Sequence, residues 1–201
     1  MANEPISVYA EANPNPESMK FVCNTTFLPD GVSVDYPTVE SAAGSPLAQE
    51  LFNFDYVGRV FIAQNFVTVT KKTDDHWSVL ISELRTFLKS YIESGGPAFS
   101  VDPIHEQTAK AAAAVGDMSA EDAVIAQKVT DLLENYVRPA VEQDGGNISF
   151  KHYHDGIVTV HLEGSCSGCP SATVTLKSGI ENLLKRMVPE VKAVVAEGVT
   201  L

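Results

Sequence analysis

The chain is short of cysteine, short of positive charge and without a long apolar run. Three cysteines in 201 residues are too few for a disulfide framework, which points to a soluble protein of a reducing compartment. Lys and Arg number 14 against 26 Asp and Glu, a net charge of −12. That balance argues against a nucleic-acid groove and against an anionic membrane surface. No apolar stretch approaches the length of a membrane span. The start, Met1-Ala2-Asn3-Glu4-Pro5, has neither the basic flank nor the apolar segment of a secretion signal. There is one tryptophan, no Gly-rich nucleotide loop, no cysteine beside a credible His–Asp pair and no internal repeat at a fixed period. What is present is a hydrophobic fraction of 44%, ample for a core, in a length that fits one large domain or two small ones.

Against this background one stretch stands out, Gly164-Ser165-Cys166-Ser167-Gly168-Cys169-Pro170-Ser171-Ala172. Ile157 to Leu162 before it reads as a strand, and Thr173 to Val188 after it reads as a helix. Pro170 suits the first helical position, where no backbone N–H is missed. The two thiols therefore lie at a helix N-terminus, whose unpaired N–H groups and dipole favour the thiolate, the form that binds metal. The neighbouring small residues offer little bulk to shield the sulfurs and few contacts to hold the loop, so accessible thiols on a loosely held loop are expected. Gly168 lets the backbone bend between them.

The rest of the chain supports an α+β reading. Met1 to Pro16 is rich in Pro and Asn, and Asn13-Pro14-Asn15-Pro16 is expected as an exposed turn. Strands are expected over Met19 to Thr26 and Val32 to Tyr36, with Val57 to Ala63 pairing with Asn65 to Thr70. Ser45-Pro46 reads as a helix start, and Asp75-His76-Trp77 opens a helix whose Val79, Leu80, Leu84, Phe87, Leu88 and Tyr91 share one face. Gly95-Gly96-Pro97 stops it. Residues 95–118, including Ala111-Ala112-Ala113-Ala114, read as a linker. Beyond it, Ser119-Ala120-Glu121-Asp122 resembles a capping box with Asp for the usual Glu. The helix that follows carries Ile125, Val129, Leu132, Leu133 and Tyr136 on one face and is disturbed or ended at Arg138-Pro139. Asp144-Gly145-Gly146-Asn147 is a turn. A hairpin follows about His154-Asp155-Gly156, then the Cys loop, a helix with the stripe Leu176, Ile180, Leu183, Leu184 and Met187, and a last strand from Val191 to Ala196. Two small domains result, 1–94 in the order β-β-α-β-β-α and 119–201 in the order α-β-β-α-β.

A lone C-x-x-C admits metal or cluster binding, thiol redox chemistry or no special role. A thioredoxin-type site expects a βαβ core and a Trp before the first Cys, whereas the single tryptophan is Trp77 and the intervening pair is Ser167-Gly168. A mononuclear zinc needs four ligands. His161 alternates along its strand and reads as a solvated or hydrogen-bonded side chain, as do His152 and His154, and Cys23 reads as a small buried hydrophobe. Two further ligands for Cys166 and Cys169 are most economically supplied by a second copy of the chain. The resulting four-thiolate set suits an iron–sulfur cluster or a bridging zinc. A zinc-stapled structural dimer and a thiol oxidoreductase, with Cys166 as nucleophile and Cys169 as resolving thiol, both stay open at this point.

The run from Tyr136 to Ile148 (Tyr-Val-Arg-Pro-Ala-Val-Glu-Gln-Asp-Gly-Gly-Asn-Ile) resembles the start of the NifU-like C-terminal domain, as do Leu162 to Ser171 and Thr173 to Glu181. Asn13 to Phe21, Ser45-Pro46-Leu47-Ala48 and Asn65 to Lys71 resemble the N-terminal domain of Nfu proteins. The resemblance implies an iron–sulfur scaffold or carrier rather than an enzyme. It implies a 4Fe-4S cluster held between two protomers, with Cys166 and Cys169 matching the family's ligands and delivery to apo-proteins. Partners are then a second copy, client proteins and upstream assembly factors. Mitochondrial relatives carry a transit peptide; none is visible here, so the expectation is a bacterial, cytoplasmic protein.

Overall fold

The computed structural model describes residues 5–101, 119–167 and 170–197. The chain divides into two compact units, Met1–Pro103 and Ile104–Leu201, each a sheet with helices, the α+β class expected from the sequence.

In the first unit, β1 (Val8–Ala12), β2 (Ser18–Cys23), β3 (Val34–Tyr36), β4 (Val57–Ile62) and β5 (Phe66–Lys71) form an antiparallel sheet in the order β1-β2-β5-β4-β3. Period-2 alternation sorts their side chains. Met19, Phe21, Val60, Ile62, Val67 and Val69 share one core with Leu47 and Leu51 of α1 (Pro46–Phe52) and Leu84 and Leu88 of α2 (Trp77–Glu93). The alternate residues Val22, Phe61, Ala63 and Phe66 form a second, smaller cluster. Helix α1 starts as the sequence predicts: the Ser45 hydroxyl accepts from the Ala48 N–H at 3.2 Å, and Pro46 stands in the first turn.

Four expectations for this unit change. Strand β1 falls in a stretch where no strand was expected. It pairs with β2 from Val8↔Cys23 to Ala12↔Met19, and Val8 and Ala10 pack on the core. The Asn-Pro turn is thus the β1–β2 connection, and its asparagines organise it. Asn13 Oδ1 accepts from the Asn15 N–H (3.0 Å) and the Ser18 hydroxyl (2.8 Å), and Asn15 Oδ1 accepts from the Glu17 N–H (3.0 Å). Asn15 is consequently buried, not exposed. In α2, Leu80, Leu84 and Leu88 carry the buried line, while Val79 is 72% exposed. The chain beyond Gly95 also keeps contact with this unit. Ser45 Oγ donates to the Ala98 carbonyl (2.6 Å), the Ser100 N–H donates to the Gly44 carbonyl (3.0 Å), and Ala98 and Phe99 pack on the core. Ala111 to Ala114 lie outside the described residues.

In the second unit, α3 (Ala120–Leu132) runs through a π turn (Leu133–Val137) into α4 (Arg138–Gln143). Then come β6 (Gly146–His154), β7 (Ile157–Gly164), α5 (Pro170–Met187) and β8 (Ala193–Glu197). The sheet order is β6-β7-β8. β6 and β7 are antiparallel about Asp155 (φ 50°) and Gly156 (φ 86°), the left-handed pair that a two-residue hairpin turn needs. β7 and β8 are parallel, with α5 as the crossover between them. Val129, Leu133, Val137 and Val141 cover Ile148, Val158, Val160, Leu162, Ile180, Leu184 and Val194 in one core.

Pro139 disturbs the first helix without ending it. The helix widens into the π turn and resumes with Pro139 in the first turn of α4, the position at which a helix tolerates proline. The wide turn shifts the buried face, so Val137 points inward and Tyr136, expected in the stripe, is 66% exposed. At the end of α5, Val188 is buried where Met187 was expected, and Met187 faces outward.

Candidate metal centre

The Cys loop begins where β7 ends. Gly164, at φ 65°, turns the chain out of the strand into a 3-10 turn, Ser165–Ser167. The loop is tied down there. The Ser165 N–H donates to the Gly145 carbonyl (3.2 Å), the Ser165 hydroxyl donates to the Asp144 carbonyl, and the Ser167 hydroxyl donates to the Gly164 carbonyl (2.8 Å). Serine hydroxyls thus find backbone acceptors, and for Ser165–Ser167 the expectation of a loosely held loop does not stand. Cys166 is also not accessible as expected. It is 6% exposed, belongs to the core of the second unit, and its sulfur lies 3.8 Å from the Ser165 hydroxyl. Cys169, the other expected ligand, lies outside the described residues. Helix α5 begins at Pro170, three positions earlier than the apolar pattern indicates.

The elements around the loop fix its frame. Gly146 opens β6 directly opposite Gly164, and Asn147 Nδ2 donates across the strands to Glu163 Oε2 at 3.2 Å. On α5, the Glu181 carboxylate accepts from the Val194 N–H of β8 at 3.0 Å. A hydrogen bond from Lys185, together with that backbone N–H, holds this carboxyl below the usual range. The Asp144-Gly145-Gly146 turn is the partner of the Cys loop, a role that the sequence reading missed. Hairpin register was the available signal: counting outward from the Asp155-Gly156 turn brings position 146 opposite 165, and the bulge between Phe150 and His152 moves it by one, to 164.

The other residues considered for metal have surroundings of their own. His161 Nε2 faces Glu163 Oε1 at 3.8 Å on a half-exposed strand face. The rings of His152 and His154 stack with centroids 6.1 Å apart. Cys23 sits on β2 in the first unit, buried as expected, and burial pushes its thiol up to about 12. Among the described residues, no group of three or more His, Cys, Asp or Glu side chains is placed to hold a metal ion. Among those residues, too, no helix is long and apolar enough to cross a membrane.

Two family models match the chain in tandem: the scaffold protein Nfu/NifU N-terminal domain over residues 8–95, and the NifU-like domain over residues 129–195. NifU-like protein 4, mitochondrial, of Arabidopsis thaliana is 41% identical over 94% of this chain and 65% of its own length. The human NFU1 iron-sulfur cluster scaffold homolog, mitochondrial, is 36% identical over 93% of this chain and 70% of its own length. A NifU-like protein of Saccharomyces cerevisiae, solved by NMR, has 22% identity and a TM-score of 0.45, over 51% of this chain and 92% of that one. The chain spans just under two thirds of the plant relative. The cytoplasmic expectation is overturned, because the plant, fly and human relatives are all named mitochondrial. It rested on the residues at the N-terminus, which do not decide the compartment for a chain that spans part of its relatives. With both models matched and 36% identity to a human relative of which it covers 70%, the chain belongs to the NifU/Nfu family.

Proposed function

We propose that the chain is an iron–sulfur cluster scaffold and carrier, working in mitochondria, that holds a 4Fe-4S cluster between two copies of itself and passes it to apo-proteins. Cys166 and Cys169 of each copy are the ligands, and residues 119–201 are the cluster-binding domain. The observation that carries this reading is the ligand count. The C-x-x-C pair offers two thiolates per chain, and among the described residues no group of three or more His, Cys, Asp or Glu is placed to hold a metal ion. A 4Fe-4S cluster usually takes four cysteines, so a two-fold pair of loops satisfies it. The same arrangement suits release, since an incoming client cysteine replaces one loop thiolate at a time. The cluster is cargo, and the chain carries out no turnover of its own.

The test is anaerobic reconstitution with iron and sulfide, followed by light scattering and iron analysis. The expected product is a brown dimer with about two irons per chain. Cys166→Ser and Cys169→Ser, each alone, abolish both the colour and the cluster-dependent dimer while the far-ultraviolet dichroism stays native. A stable monomer with about four irons per chain, or a colourless dimer with about half a zinc per chain, overturns the reading.

A further inference from the structure

Gly145 and Gly146 are glycines for different reasons. Gly145 sits at φ 78°, a conformation that disfavours other residues. Gly146 is not among the positive-φ residues, so its backbone would accept a side chain; what forbids one is space. A Cβ there would lie 2.9 Å from Cys166 Sγ, 2.6 Å from the Glu163 carbonyl oxygen and 3.3 Å from the Cys166 nitrogen. The first two distances are too short for any carbon, so the added atom and the sulfur compete for one volume in a close-packed core. The ties of Ser165 to the carbonyls of Asp144 and Gly145 hold the loop against this same turn.

We propose that Gly146 is a positioning residue for Cys166. Its missing side chain leaves the room in which the sulfur is seated, so the chain without cargo keeps one thiol of the C-x-x-C pair turned into the core. The proposal rests on the reading of Cys166 as a cluster ligand. A sulfur seated among core residues does not reach a cluster shared with a second copy, so loading draws Cys166 out of this seat. The Asp144–Asn147 turn is then the latch that sets how readily it leaves. The resting chain is thereby shielded from oxidation at one thiol of the C-x-x-C pair, since reactivity follows exposure.

The test uses the full-length apo-protein under reducing, metal-free conditions. A timed iodoacetamide pulse followed by fragment mass spectrometry reads alkylation at each cysteine. In the native chain Cys166 is expected to react at least tenfold more slowly than in the urea-unfolded chain, and Ser165→Ala, which removes one tie, to speed it severalfold. Cys166 reacting at its unfolded rate in the native protein, or unmoved by Ser165→Ala, overturns the proposal. A second arm reads melting temperature. Gly146→Ala is expected to cost less in a Cys166→Ala background than in the wild-type one, because the truncated side chain vacates the contested volume. Equal cost in both backgrounds means that the added carbon meets only the Glu163 carbonyl, and sinks the idea. Gly179→Ala, where a Cβ meets nothing within 4 Å, is the control for a glycine substitution in the same unit. None of these readouts needs iron, so a chain that takes up no cluster fails the functional reading while leaving the seat itself measurable.

Discussion

Cys23 and Cys166 are both buried, and their surroundings give them opposite uses. Cys23 sits within a strand covered on both faces, and its thiol is a small apolar filler. Cys166 sits in a three-residue turn that the Ser165 hydroxyl fastens to the Asp144 carbonyl of a neighbouring loop, a hold that local rearrangement can release. Cys23→Ala is expected to leave iron uptake unchanged and to lower stability by about 1–2 kcal/mol, the scale for losing a small buried group. Loss of iron from a folded Cys23→Ala protein would contradict the ligand assignment. A pH signature goes with it. Burial raises the Cys23 thiol from 9.0 to about 12, so between those values the unfolded chain has released a proton that the native chain keeps. Stability therefore falls as pH rises across that window. Thermal melts from pH 8 upward should show this alkaline loss reduced in Cys23→Ala. Part of it remains in the variant, because burial also raises Tyr56, Tyr91 and Tyr153.

Among the elements, the short α1 depends on its first residue. Ser45 accepts from the Ala48 N–H and donates to the Ala98 carbonyl, so one hydroxyl caps a seven-residue helix and pins the chain that follows α2. Ser45→Ala is expected to cost about 1–2 kcal/mol, at the upper end for a cap because two bonds go. Chemical denaturation of the first unit measures it, and a change under about 0.5 kcal/mol would show the cap to be idle. The β6–β7 turn is the corresponding control point in the second unit. Gly156 has φ 86°, and a Cβ there would stand 2.8 Å from the Lys192 side chain and 2.9 Å from the Glu190 carbonyl oxygen. Gly156→Ala is expected to destabilise this unit by about 1–3 kcal/mol through strain at the turn, read as a lowered melting temperature. It should leave the first unit's melt unmoved.

For the whole molecule, the two units imply two separable pieces. A fragment of residues 119–201 is expected to fold and to take up iron under anaerobic reconstitution, since both proposed ligands and their frame lie within it. An unfolded fragment would show that the cluster domain needs the first unit. The N-terminal piece is expected to fold without metal and to bind no iron. Its end point matters: a fragment ending at residue 101 should melt higher than one ending at residue 94, because only the longer one keeps the Ala98 and Ser100 bonds to Ser45 and Gly44. Equal melting temperatures would show that the stretch past Gly95 adds no stability to the first unit.

Where chemistry is local, the amino-acid sequence sufficed. The Ser45 and Ser119 caps, the Asp155-Gly156 turn, the order of elements in the second unit and the C-x-x-C pair follow from short-range sterics and hydrogen bonding, which act over a few residues. The resemblance carried by Cys166, Cys169 and their flanks reached the family that the comparisons bear out. Tertiary structure decided what depends on neighbours distant in the chain. β1 exists because β2 offers it a hydrogen-bonded edge, which the Pro/Asn content around it conceals. The helix before Pro139 continues because packing on β6 and β7 holds it through a π turn, and that turn moves Tyr136 out and Val137 in. Small residues around Cys166 suggested exposure because side-chain size was all that could be read. The fold instead brings a glycine 20 positions away, Gly146, against the sulfur, and a missing side chain is legible as room only once its neighbours are known.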